Sequence, residues 1–245
     1  MKPLITWGSN KSYDVNMVMP FIPVNYTMYI QPFAGSASLF FNLEPTCPAL
    51  LNDINDDLIN FYQQIKSGNS NAIKNFMDYT PNNKTTYYDI LHNFYPTTPT
   101  EQASQFYYLR KTCHRSSLRF NKYGLFNVAY GNNTNIDYSI LSDIRYFNLL
   151  QNTTITNNDF LQIFNSHNDP NYFIFIDAPD DNRANISQFL PDDHLRLFRS
   201  FTQSHSKCLM IIKDTIFTKE LYKDYIIAAY PTFGRYGTKL ICANV

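Results

Sequence analysis

Glycine is scarce in this 245-residue chain, seven residues in all. Each one that falls between a strand and a helix therefore marks a place where the backbone must do without a Cβ. The four cysteines, Cys47, Cys113, Cys208 and Cys242, form no C-x-x-C pair, and the five histidines form no H-x-x-x-H pair. That excludes the usual zinc spacings, and no metal site is expected. No apolar run approaches the length of a membrane span, and nothing after Met1-Lys2-Pro3 forms the core of a signal peptide. An intracellular, soluble, cytoplasmic or nuclear protein is the expectation. Net charge is missing too: 20 Lys and Arg balance 20 Asp and Glu. With no global field to attract nucleic acid, any such site must come from local charge segregation.

What is present is a set of short apolar runs that end in polar turns. Tyr172-Phe-Ile-Phe-Ile176 is stopped by Asp177-Ala178-Pro179-Asp180, which reads as a buried central strand whose C-terminal end opens into a pocket. In open α/β sheets ligands bind at that edge. Met28-Tyr29-Ile30 breaks into Gln31 to Ser38 and then Leu39-Phe40-Phe41, a strand, a tight turn and a helix start. Ala49-Leu50-Leu51 ends at Asn52-Asp53, and Ile54, Leu58, Phe61, Tyr62 and Ile65 follow at helical spacing. Two βα units in succession predict a doubly wound, mostly parallel sheet. From 67 to 150 the pattern turns polar and aromatic with prolines at 81, 96 and 99, an inserted, mainly helical module. The α/β domain is then discontinuous, 1–66 and 151–245. Its second part is expected to carry a helix over Asp192–His205, a strand over Cys208–Ile212, a helix near Lys219–Tyr230 and a last strand over Leu240–Ala243.

Pro32, Phe33, Gly35 and Ser38 place small residues where a strand becomes a helix, so backbone N–H groups can approach a ligand. A ligand-free tight turn has the same composition. Asp53 closes the next strand, where an acid can accept hydrogen bonds from ribose hydroxyls or simply cap the following helix. Together the two favour a nucleoside-bearing cofactor. Between Glu101 and Asp137 there is no acidic residue, while Arg110, Lys111, Arg115, Arg119 and Lys122 share the stretch with Phe120 and Tyr123. Cations interleaved with aromatics suit phosphate contact and base stacking; the alternative is a solvated helix face.

These residues, taken in order, resemble the Dam-type (D12 class) DNA N6-adenine methyltransferases along nearly the whole chain. Trp7, Gly8 and Lys11 match an L-x-W-x-G-G-K motif, and Gln31 to Ser38 is similar to E-P-F-x-G-x-G-S, with Gln31 for Glu and Ala37 for Gly. Asn52-Asp53-Ile54-Asn55 matches N-D-I-N, and Asp159-Phe160 resembles a D-F pair. The basic stretch aligns without gaps to the family's recognition segment, retaining Lys111, Arg119, Asn121, Asn127 and Gly131 among others. Asp177-Ala178-Pro179-Asp180 stands where the family has D-P-P-aromatic. The resemblance implies a Rossmann-like methyltransferase fold, S-adenosylmethionine held by Trp7, Gly8, Lys11, Pro32, Phe33, Gly35, Ser38, Asp53, Ile54, Asp159 and Phe160, and double-stranded DNA as partner, met by Arg110, Lys111, Arg115, Arg119, Asn121, Lys122 and Asn127. It also implies methyl transfer to the amine of a flipped adenine, with Asp177 and the Ala178 carbonyl as acceptors. Ala178 for proline and Asp180 for the aromatic ring leave a second reading open: a catalytically silent fold that binds nucleic acid or a protein partner.

Overall fold

Unbroken apolar runs bury both faces of a strand, because successive side chains point to opposite sides. The strands of this protein are β1 (Met28–Gln31), β2 (Ala49–Asn52), β3 (Thr153–Thr156), β4 (Tyr172–Asp177), β5 (Lys207–Lys213), β6 (Ile226–Pro231) and β7 (Thr238–Ala243). The computed structural model describes residues 1–8, 11–121, 123–133, 135–179, 189–232 and 237–244. Tyr29, Leu51, Phe173, Phe175 and Ile211 face one side, while Ile30, Leu50, Ile174, Ile176 and Met210 face the other. The strands form one sheet in the order β3-β2-β1-β4-β5-β7-β6. The first five are parallel, and β7 runs antiparallel to both its neighbours.

The first face is covered by α1 (Ser12–Val18), α2 (Ser38–Leu43), α3 (Asp56–Lys66), α4 (Ser70–Tyr79), α5 (Lys84–His92), α6 (Pro99–Thr112) and α7 (Ile144–Gln151). The second is covered by α8 (Phe160–Ser166), α9 (Pro191–Gln203) and α10 (Ile216–Leu221). Local chemistry sets the helix starts. The Asn55 side chain accepts the Leu58 N–H, and Asp56 and Asp57 occupy the first turn of α3, where the helix dipole favours acid. At α6 a capping box of Thr98 and Glu101 brackets Pro99, whose missing N–H costs nothing in the first turn.

The doubly wound α/β architecture is as the sequence predicts, with two corrections. The helix expected near Lys219–Tyr230 ends at Leu221; Ile226 to Pro231 is β6, paired antiparallel with β7. Apolar residues there recur closely enough to mimic a helical stripe, and the pairing partner, β7, lies beyond them in sequence. β3 carries no apolar run to mark it in the sequence: Thr-Thr-Ile-Thr is largely polar because only Thr153 is buried at this sheet edge. The order in which strands are added to the sheet reverses between the parallel neighbours β1 and β4, which opens a crevice at their C-terminal ends. Among the described residues no helix is long and apolar enough to cross a membrane.

Candidate active site

The turn after β1 is built for close approach. Gly35 has φ +48°, and a Cβ on it would stand 3.0 Å from Cδ1 of Trp7. Its N–H donates to Oδ2 of Asp53 (2.9 Å), and the Asn55 N–H donates to Oδ1 (3.0 Å). Burial raises the Asp53 carboxyl, and these N–H groups offset that only in part. Each oxygen keeps a second lone pair for a ligand hydroxyl. Ile54 beside it is 62 % exposed, an apolar side chain open at the strand end. The Phe33 ring lies 5.3 Å from that of Phe160 and 5.7 Å from that of Phe189. Asp159 caps α8 through the Leu161 N–H (2.8 Å) and meets the Arg196 guanidinium with both oxygens (3.0 and 2.9 Å). That guanidinium also sits 5.0 Å from the Phe160 ring centre. Ser38 is buried and bonds the Ser36 hydroxyl (2.8 Å), while the Pro32 carbonyl accepts from the Asn52 amide (2.9 Å).

Asp177 ends β4 in the adjoining part of the crevice. Lys11, just ahead of α1, brings Nζ to 2.9 Å from Oδ1 and 2.7 Å from Oδ2. Burial pushes this carboxyl up, but Lys11 and, farther off, Lys239 outweigh it and hold the group below its ordinary value. It is thus an ionised, acceptor-only group near neutral pH. The next residue, Ala178, is buried, Pro179 is half-buried, and Gly8, three residues before Lys11, takes φ +72°. Asp180 lies outside the described residues.

The basic stretch is a hairpin whose base is clamped to the site. Isolated bridges join Cys113 to Tyr130 and Phe120 to Phe126. The turn is closed by Asn121, whose side chain accepts the Tyr123 and Leu125 N–H groups. Arg115, Arg119 and Asn127 are exposed along it, and Arg115 and Ser116 both take positive φ. Arg110, expected among the phosphate contacts, is instead 3 % exposed. It donates to the carbonyls of Thr6 (2.8 Å), Ser116 (2.8 Å) and Ser117, between the rings of Trp7 (5.4 Å) and Phe126 (5.7 Å). Lys111 turns toward Asp137 and the Tyr107 ring rather than along the hairpin. Lys122 lies outside the described residues.

The order of these parts matches one family over most of the chain: the model of the D12 class N6 adenine-specific DNA methyltransferases matches residues 7–233. The chain belongs to this family. It is 36 % identical over 234 residues to the type II methyltransferase M.CviBI of Paramecium bursaria Chlorella virus NC1A, covering 94 % of this chain and 90 % of that one. It is 26 % identical over 247 residues to the type II methyltransferase M1.LlaDCHI of Lactococcus lactis subsp. cremoris, covering 93 % and 86 %. To the retron Ec67 DNA adenine methylase of Escherichia coli it is 32 % identical over 153 residues, 60 % of this chain and 52 % of that one.

Within this D12 methyltransferase two residues absent from the sequence-based candidates hold the crevice together. The Asn52 amide donates to the carbonyls of Pro32 and Asn158 (2.9 Å each) and accepts from the Thr156 hydroxyl (2.8 Å) and the Asn158 N–H (2.9 Å). It ties the ends of β1, β2 and β3 with every amide atom engaged. Gln31 is buried, donates to the Phe33 and Ala34 carbonyls (3.2 Å each) and accepts from the Tyr29 hydroxyl (2.9 Å). A carboxylate there would have no donor for those carbonyls. Arg110 had a readable signal: it lies seven residues after Ala103 and three after Tyr107, on the buried face of α6.

Proposed function

We propose that this protein transfers a methyl group from S-adenosylmethionine to the exocyclic amine of an adenine flipped out of double-stranded DNA. The observation that carries the reading is the ionised Asp177 at the end of β4, next to the Ala178 carbonyl and across the crevice mouth from the Gly35–Asp53 turn. The donor fits the residues present. Asp53 has lone pairs for ribose hydroxyls, the Phe33 and Phe160 pair and, separately, the exposed Ile54 offer apolar surface for a purine, and Gly35 leaves room beside Trp7. When bound, S-adenosylmethionine supplies an electrophilic methyl group on a sulfonium. This chain supplies alignment: Asp177 and the Ala178 carbonyl accept from the amine N–H groups, so the nitrogen lone pair faces that methyl group. On transfer the donor would leave as a neutral thioether and the methylated amine would give up one proton to water, with Asp177 and the Ala178 carbonyl holding the nitrogen in place.

In this reading 67–150 is the target-recognition module, and the exposed Arg115, Arg119 and Asn127 of the hairpin face the phosphate backbone and grooves. The test is incubation with isotopically labelled S-adenosylmethionine and, separately, duplex DNA, single-stranded DNA and RNA, followed by nucleoside analysis. Label in N6-methyladenine from the duplex is expected. Cofactor and duplex binding without transfer would replace this reading with that of a silent binding subunit.

A further inference from the structure

Asp177 is one end of a chain of alternating charges that runs away from the crevice. Lys11 Nζ, 2.7 Å from Asp177, is 3.7 Å from Oδ2 of Asp14 on α1. The same Asp14 oxygen is 2.7 Å from Nζ of Lys239 on β7, and its other oxygen accepts the hydroxyl of Tyr230 on β6 at 2.8 Å. Side chains of Lys239 and Asp14 are 11 % exposed, and those of Lys11 and Asp177 19 %. Charges held this far from water act on each other with little screening. We infer that Asp14, Lys239 and Tyr230 are positioning residues that decide how Lys11 is shared between two carboxylates, and so fix the charge and orientation of Asp177. The inference rests on the methyl-transfer reading of Asp177 and adds to it three residues outside every motif recognised in the sequence.

The direction of each effect follows from the geometry. Asp14 is already neutralised by Lys239 and hydrogen-bonded by Tyr230, so Lys11 is left to sit closer to Asp177. Without Lys239, Asp14 would be a buried anion with Lys11 as its nearest cation, and Asp177 would lose its partner. Without Asp14, both lysines would act on Asp177 alone. Tyr29 on β1 and Tyr230 are both raised by burial foremost and by neighbouring groups including Asp177, so neither carries charge near neutrality.

The experiment is a carbon-13 titration of the Asp177 carboxyl in aspartate-labelled protein, assigned by loss of the signal in Asp177→Asn. It is run on the wild type, Lys239→Met, Asp14→Asn and the double variant. Titration in Lys239→Met is expected at higher pH than in the wild type and in Asp14→Asn at lower pH. The double variant, which removes one charge of each sign, is expected between them. Shifts of the same sign in the two single variants, or none, would overturn the inference. Tyr230→Phe removes one hydroxyl, is expected to shift the titration upward, and serves if the charge variants do not fold; no shift there is equally decisive. Turnover is measured alongside. In Lys239→Met kcat is expected to fall by up to about 100-fold with an unchanged affinity for S-adenosylmethionine, as for a misplaced acceptor. If the wild type transfers no methyl group, the proposed function fails while the titration still decides the network. If it turns over and the titrations coincide, the network alone fails.

Discussion

Gly131 is retained where no other residue fits. A Cβ at this position would stand 2.5 Å from the Cys113 carbonyl oxygen and 2.9 Å from that of Thr112, both of them backbone atoms with nowhere to move. The Gly131 N–H meanwhile donates to the Thr112 carbonyl at 2.8 Å, closing the base of the hairpin. Gly131→Ala is therefore expected to destabilise the protein by about 1–3 kcal/mol, the usual cost of forcing a methyl group into packed structure. A lower urea midpoint at unchanged slope is the measurement. The left-handed geometry at Arg115 and Ser116 has no such excuse, since neither residue is a glycine. Such backbone is commonly found where a loop is shaped for binding, which agrees with the exposed position of Arg115.

At the scale of elements, the hairpin and α6 divide the basic stretch between two tasks. Arg115 and Arg119 stand exposed on the hairpin, whereas Arg110 faces inward from α6. If the hairpin meets DNA phosphates, Arg115→Ala and Arg119→Ala should each lower the slope of log affinity against log salt by about 0.9. Arg110→Met should weaken folding and leave that slope unchanged; a reduced slope in this variant would return Arg110 to the interface. The same division shows how far a sequence reaches. The strands β1, β2, β4 and β5 were legible because burial on both faces writes an apolar run, Asp53 and Asp177 because each closes such a run, and Gly35 because it sits in the turn after one. A cluster of cations records charge and not direction, so Arg110 was grouped with its neighbours. β3 was hidden because an edge strand needs no apolar face, and Asn52 and Gln31 because a saturated amide leaves no compositional mark.

At the scale of the whole molecule, the crevice concentrates buried charge and makes stability depend on pH. The Asp177 carboxyl is held below its ordinary value, so its pairing stabilises the fold above the pKa of an unfolded aspartate. That contribution is lost as pH falls through the lowered folded value. Lys11→Met should cost on the order of 2 kcal/mol near neutrality, by leaving Asp177 without its nearest cation. The deficit should shrink on acidification, because the stranded carboxyl of the variant can take up a proton; denaturation curves for both proteins across acidic pH would show the gap closing. A gap independent of pH would mean that Lys11 acts by packing alone. The guanidinium of Arg110 has a consequence of another kind. It lies between Trp7, which also borders the Gly35 turn, and Phe126 of the hairpin, so one cation bears on both the cofactor turn and the DNA-facing hairpin proposed above. Ligands that share a bearing are linked, and the linkage is reciprocal. Duplex DNA should tighten S-adenosylmethionine binding by at least about fivefold, and the cofactor should tighten DNA binding by the same factor. Calorimetry on Arg110→Met should find the two events independent, each ligand then binding as though the other site belonged to a different molecule.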